Sequence, residues 1–85
     1  MADNRRKAGG NSLADLDQSL IAAHKSDDKS RLVELYEAAG DDARQRGDFD
    51  RACFYFTHAY VFALETGSPR AESLRRILVA HGREL

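Results

Sequence analysis

One cysteine and three histidines, Cys53, His24, His58 and His81, are the side chains of this sequence best suited to nucleophilic or metal chemistry. Zinc ligands recur at short, characteristic spacings, but successive histidines here are more than twenty residues apart. Cys53 and His58 are five residues apart, about 140° around a helix, so they cannot form a nucleophile–base pair on one face. With no glycine-rich phosphate loop either, the sequence predicts no metal, no cofactor and no enzymatic activity.

The last predicted helix is basic, which raises the possibility of phosphate binding. Its arginines are Arg70, Arg75, Arg76 and Arg83. Glutamates at positions 72 and 84 dilute this charge, and no aromatic stacking platform accompanies it. Arginines near the end of a helix also suit its macrodipole. A nucleic-acid-binding helical domain using this basic C-terminal helix is therefore the alternative function, and the sequence favours nucleic acid less than a protein partner.

Length and composition indicate a single small domain. The 85 residues include 42% hydrophobic and 32% charged side chains, which is ordinary for a soluble globular protein. One cysteine cannot form an internal disulfide, so Cys53 is interpreted as a reduced core residue. No apolar run is long enough for a signal peptide or a membrane span. We therefore expect a cytoplasmic protein that does not bind membranes.

Hydrophobic periodicity predicts an all-α fold of four helices with short links. Apolar residues recur at helical spacing through most of the chain, and no strand-like alternation interrupts them. Residues 1–10 are polar and lack this period, so we expect a disordered tail ahead of one domain over residues 11–85. The predicted helices are residues 12–24, 29–46, 48–66 and 69–82.

The second and third predicted helices resemble one tetratricopeptide repeat (TPR), a helix–turn–helix unit of about 34 residues. The first half matches as Tyr36-x₂-Ala39-Gly40-x₂-Ala43, and the second as Ala52-x₃-Phe56 with Ala59 one turn further on. Between them, Gly47-Asp48-Phe49-Asp50 is similar to the turn usual in that family. The resemblance implies an antiparallel TPR-like hairpin over residues 33–66.

The seam of this hairpin alternates small and large residues. Gly40, Ala52 and Ala59 are small where two helices must approach closely, whereas Tyr36, Phe49 and Phe56 are bulky and fill the space between them. Only one repeat matches, so the helices on either side must cap the hairpin as neighbouring repeats do in longer arrays. The resemblance implies a small protein–protein interaction module, an adaptor or scaffold that binds a protein or peptide.

The first helix of the hairpin carries three acids that form what we call the acidic strip: Glu34, Glu37 and Asp41, at i, i+3 and i+7. In TPR arrays the corresponding helix lines the concave surface, so the resemblance implies a site for a basic segment, with Arg44 and Gln45 beyond it. The alternative is a solvated face neutralised by ion pairs at helical spacing. The expected pairs are Arg31–Glu34, Asp41–Arg44 and Asp42–Arg46.

The third predicted helix has apolar residues outside its core face. A helical wheel with Phe49 at its centre places the expected core residues within one arc. It places Tyr55 and Phe62 beside this arc, where the fourth helix should cover them. The core residues are Ala52, Cys53, Phe56, Ala59, Tyr60, Ala63 and Leu64. Phe54 and Val61 fall on a flank that faces solvent in such hairpins, so they need a cover. Either Leu16 and Leu20 of the first helix cover them, or a partner or second copy does, which makes a homodimer possible.

Overall fold

The computed structural model describes residues 16–83, which form four helices and no strand. Helix α1 comprises helical residues 16–25, α2 is Lys29–Gln45, α3 is Phe49–Thr66 and α4 is Arg70–Ala80. The predicted all-α class and the four helices are confirmed. The predicted tail at residues 1–10 and the predicted helix start at Ser12 lie outside the described residues. Within 16–83, no helix has the length and apolar character needed to cross a membrane.

Side-chain hydrogen bonds and a left-handed glycine mark several of the helix ends. The Asp28 carboxylate accepts the backbone N–H of Arg31 at 3.1 Å, and the Asp48 carboxylate accepts that of Arg51 at 3.2 Å. Gly67 ends α3 with φ 68°, a left-handed conformation that costs glycine little. Ahead of α4, the Ser68 hydroxyl accepts the N–H of Arg70 at 3.1 Å.

Helices α2 and α3 form an antiparallel hairpin with a close-packed seam. Gly40, Ala52 and Ala59 are all buried, as predicted, and the ring of Phe56 between them has no exposed surface. A Cβ atom added to Gly40 would stand 2.5 Å from Phe56 Cε1, so only glycine lets the two helices approach this closely here. The alternation of small and large residues therefore sets the distance between the helices.

Helices α1 and α4 each pack against this hairpin. Leu16 and Leu20 of α1 pack against a cluster formed by Ala23, Leu32 and Leu35. Leu74 and Leu78 of α4 are fully buried in the main core cluster, together with Val33 and five residues of α3. Helix α3 thus lies in the middle, in backbone contact with both α2 and α4.

Three details of the predicted third helix were wrong. Leu64 and Phe49, placed on the core face, are 56% and 49% exposed. Leu64 stands at the edge of the predicted arc, about 60° from its centre, and Phe49 is the first residue of α3, so neither is enclosed between α2 and α4. Tyr55 and Phe62 are not covered by α4, because their rings lie against Tyr36 of α2, with centroids 6.3 and 6.0 Å from it.

Candidate functional site

An exposed apolar line runs along α3 on the side that neither α2 nor α4 covers. Phe54 is 57% exposed, Val61 45% and Leu64 56%. Thr57, also exposed, completes the line. We call these four residues the α3 stripe. They are spaced i, i+3, i+7 and i+10, the pattern by which one helix presents a seam to another.

The Thr57 hydroxyl and one ring nitrogen of His58 are hydrogen-bonded to the backbone of α3 itself. The Thr57 hydroxyl donates to the Cys53 carbonyl at 2.7 Å, which turns the methyl group into the available surface. His58 Nδ1 lies 3.0 Å from the Phe54 carbonyl, so this nitrogen donates, and its ring centroid is 4.6 Å from that of Phe54. Burial of the stripe under a partner would therefore leave neither side chain without a hydrogen bond.

The predicted internal cover of Phe54 and Val61 by the first helix was wrong. Leu16 and Leu20, the residues expected to provide it, pack against the cluster of Ala23, Leu32 and Leu35. Helix α1 instead lies against Leu32 and Leu35 in the amino-terminal half of α2.

Each acid of the acidic strip is paired with an arginine. Glu37 accepts from Arg70 of α4 at 2.8 Å, and Asp41 accepts from Arg44 at 2.8 Å. Glu34 lies 3.5 Å from Arg31. The predicted Asp42–Arg46 pair is also present, at 3.0 Å. The strip therefore presents balanced charge rather than three free carboxylates.

Arg44 and Gln45, expected beside the acidic strip, have different surroundings. The Arg44 guanidinium carbon lies 5.4 Å from the centroid of the Phe56 ring, so this side chain covers the end of the hairpin seam. Gln45 is the last residue of α2 and is exposed. Arg44 thus contributes to packing, and its charge is already engaged by Asp41.

The arginines of the basic C-terminal segment are paired with carboxylates as well. Glu72 accepts from Arg75 at 2.9 Å and from Arg76 at 3.2 Å, and these bonds lower the pKa of the Glu72 carboxyl. Arg83 donates to Asp50 at 2.9 Å, and the nearby Cys53 and Asp50 side chains raise its pKa. This face therefore has less positive charge available for phosphate than the sequence suggests.

A cluster of aromatic and histidine rings around Tyr36 was not anticipated from the sequence. The Tyr36 hydroxyl lies 3.0 Å from His24 Nε2, and the Tyr36 ring stacks on His58 with centroids 5.0 Å apart. Burial, with a further contribution from Tyr55, raises the pKa of the Tyr36 hydroxyl above its ordinary value of 10.0. The two histidines are 34 positions apart in sequence, so no local spacing could have revealed this cluster.

Comparisons of the chain with models of protein families, with curated proteins and with solved structures find no match. The side chains in residues 16–83 also hold no group of three potential metal ligands. Cys53 is buried.

Thr57 and Leu64 are members of the stripe that the wheel did not assign to it. The signal was available, because each follows a residue predicted to need a cover by three positions, Phe54 and Val61 respectively. A heptad pattern would have connected all four. A wheel with 100° per residue instead places Leu64 at the edge of the core arc, where the structure leaves it 56% exposed.

Proposed function

We propose that this chain is a small protein–protein interaction module, an adaptor or scaffold that binds a protein or peptide partner through the α3 stripe and performs no catalysis. The observation that carries the proposal is the exposure of Phe54, Val61 and Leu64 in one line on a well-packed helix. Contiguous apolar surface of this kind often marks an interaction site.

The shape of the stripe favours a helical partner. Seam residues at alternating three- and four-residue steps match the apolar face of a second α-helix, which packs by inserting side chains between them. The resemblance of residues 33–66 to a tetratricopeptide hairpin supports the same class of function. The internal pairing of the acidic strip and of the α4 arginines makes a purely electrostatic partner, including nucleic acid, the weaker alternative.

Capture experiments with matched variants test the proposal. Phe54→Glu places a charge in the stripe, and Val79→Glu makes a similar change at an apolar residue of α4 that is 51% exposed. The tagged parent and both variants are incubated with extract of the source cells, and the retained proteins are compared. We expect partners of the parent to be lost with Phe54→Glu and kept with Val79→Glu.

The same variants control for folding. Because both side chains are about half exposed, each substitution should change the free energy of unfolding by no more than about 0.5 kcal/mol. If a stably folded Phe54→Glu protein retains every partner of the parent, the α3 stripe is not the binding surface and the proposal fails.

A further inference from the structure

We propose that the α3 stripe binds the α3 stripe of a second copy of this chain, with the two helices antiparallel. This inference rests on the proposed function, because it uses the same surface and names its occupant. Helix α3 has 18 residues and is about 27 Å long, enough for two heptads of seam residues.

The apolar residues complement one another in an antiparallel pair. With the two helices centred between Thr57 and Val61, Phe54 faces Leu64 of the second copy, and Thr57 faces Val61 of the second copy. The twofold axis repeats each pairing, so the seam has four layers. A larger side chain meets a smaller one in each layer, and the two phenylalanine rings do not compete for the same space.

The charges beside the seam select the antiparallel direction. Arg51, His58 and Glu65 follow one flank of the stripe at heptad spacing, with the base at the amino-terminal end and the acid at the carboxyl-terminal end. An antiparallel pair brings Arg51 beside Glu65 of the second copy, twice. A parallel pair would keep the two arginines at one end and the two glutamates at the other, so neither charge would meet its opposite.

Both charged side chains are available for this contact. The Arg51 side chain is 65% exposed and contacts Asp48 at 3.2 Å within its own turn. The Glu65 side chain is 49% exposed and lies 4.0 Å from Lys29, the longest ion pair among the described residues. Neither is held in the core, so both can turn toward a second copy.

The size of the seam implies a weak association. One helix contributes four seam residues, which places the interface at the small end of specific protein interfaces. We therefore expect a dimer with a dissociation constant on the order of tens of micromolar. Its population should rise with protein concentration over the range that sedimentation velocity covers.

A charge-swap series tests the pairing by sedimentation velocity of the full chain. Arg51→Glu and Glu65→Arg each replace two attractive contacts with two repulsive ones, and each should weaken dimerisation about tenfold. The double variant Arg51→Glu/Glu65→Arg restores opposite charges across an antiparallel pair, so its dissociation constant should return to within about threefold of the parent value. Circular dichroism melts establish that all variants are folded.

Two outcomes would overturn the inference. A parent chain that stays monomeric to about millimolar concentration has no such dimer. A dimer whose affinity does not recover in the double variant is held by another surface or in another direction. The proposed function fails separately, when a folded Phe54→Glu protein captures every partner of the parent. If the parent is monomeric but captures another protein through Phe54, the dimer is excluded and the α3 stripe remains the binding surface.

Discussion

Gly40 lies directly against the ring of Phe56 across the α2–α3 seam. A Cβ atom on Gly40 would stand 2.5 Å from Phe56 Cε1 and 2.7 Å from Cδ1, closer than real Cβ atoms come to a neighbour. The ring is fully buried, so it has no open space into which it can turn. This contact sets the spacing of the hairpin that presents the α3 stripe.

Replacing Gly40 with alanine should therefore destabilise the protein. Overpacking of a filled core costs about 1–3 kcal/mol, which outweighs the roughly 1 kcal/mol that alanine gains over glycine inside a helix. Urea unfolding of Gly40→Ala, Phe56→Leu and the double variant measures the coupling between the two sites. Leucine relieves the overlap, so the double variant should be at least about 1 kcal/mol more stable than the sum of the single effects implies. Additive effects would mean that the two residues are not in contact.

Replacing Ala52 or Ala59 with a larger residue should also destabilise the protein. Both are buried between the helices, and Ala52→Leu or Ala59→Leu should cost about 1–3 kcal/mol in the free energy of unfolding. Ala38 is an exposed alanine of α2, so Ala38→Leu makes the same chemical change without overpacking and serves as the control. Equal melting temperatures for all three variants would contradict a close-packed seam.

Much of this hairpin could be predicted from local sequence. Asp28, Asp48 and Gly67 mark helix ends through their own side-chain or backbone chemistry, so the predicted bounds of α2 and α3 agree closely with the structure. The exposure of Leu64 was not predictable in this way, because it depends on how a different helix, α4, packs against α3.

The side chains around Tyr36 could not be predicted from its neighbours in the sequence either. His24 reaches the Tyr36 hydroxyl only because α1 docks against α2, and that docking depends on packing between distant segments. For the candidate site, the sequence identified Phe54 and Val61 as apolar residues that need a cover. It could not show whether another part of the chain covers them, since that requires the positions of all four helices.

Alkaline pH should weaken the fold through Tyr36. Burial raises the pKa of its hydroxyl above the ordinary value of 10.0, so the folded protein holds this proton more tightly than the unfolded chain does. The resulting stability is complete below the unfolded pKa and is lost as pH rises through the folded pKa. Unfolding midpoints measured from about pH 9 to about pH 11.5 should fall more steeply for the parent than for Tyr36→Phe. Parallel pH profiles for the two proteins would refute this assignment.

Neutralising two of the three acids of the acidic strip should leave partner binding unchanged. Glu37→Gln/Asp41→Asn removes two carboxylates that Arg70 and Arg44 already engage, and each exposed pair contributes at most about 1 kcal/mol to stability. In the capture assay, the double variant should retain the partners of the parent. Loss of those partners from a folded double variant would show that the strip, as an acidic site for a basic segment, takes part in binding.

Site-specific photo-crosslinking tests most directly whether a protein partner lies on the α3 stripe. A benzophenone amino acid replaces Val61 in one protein and Val79 in another, two valines of similar exposure on different faces. After irradiation in extract of the source cells or at high protein concentration, we expect covalent adducts from position 61 and none from position 79. An adduct with twice the mass of the chain identifies a second copy as the occupant. If position 61 gives no adduct, or if both positions give the same adducts, the stripe is not a specific binding surface.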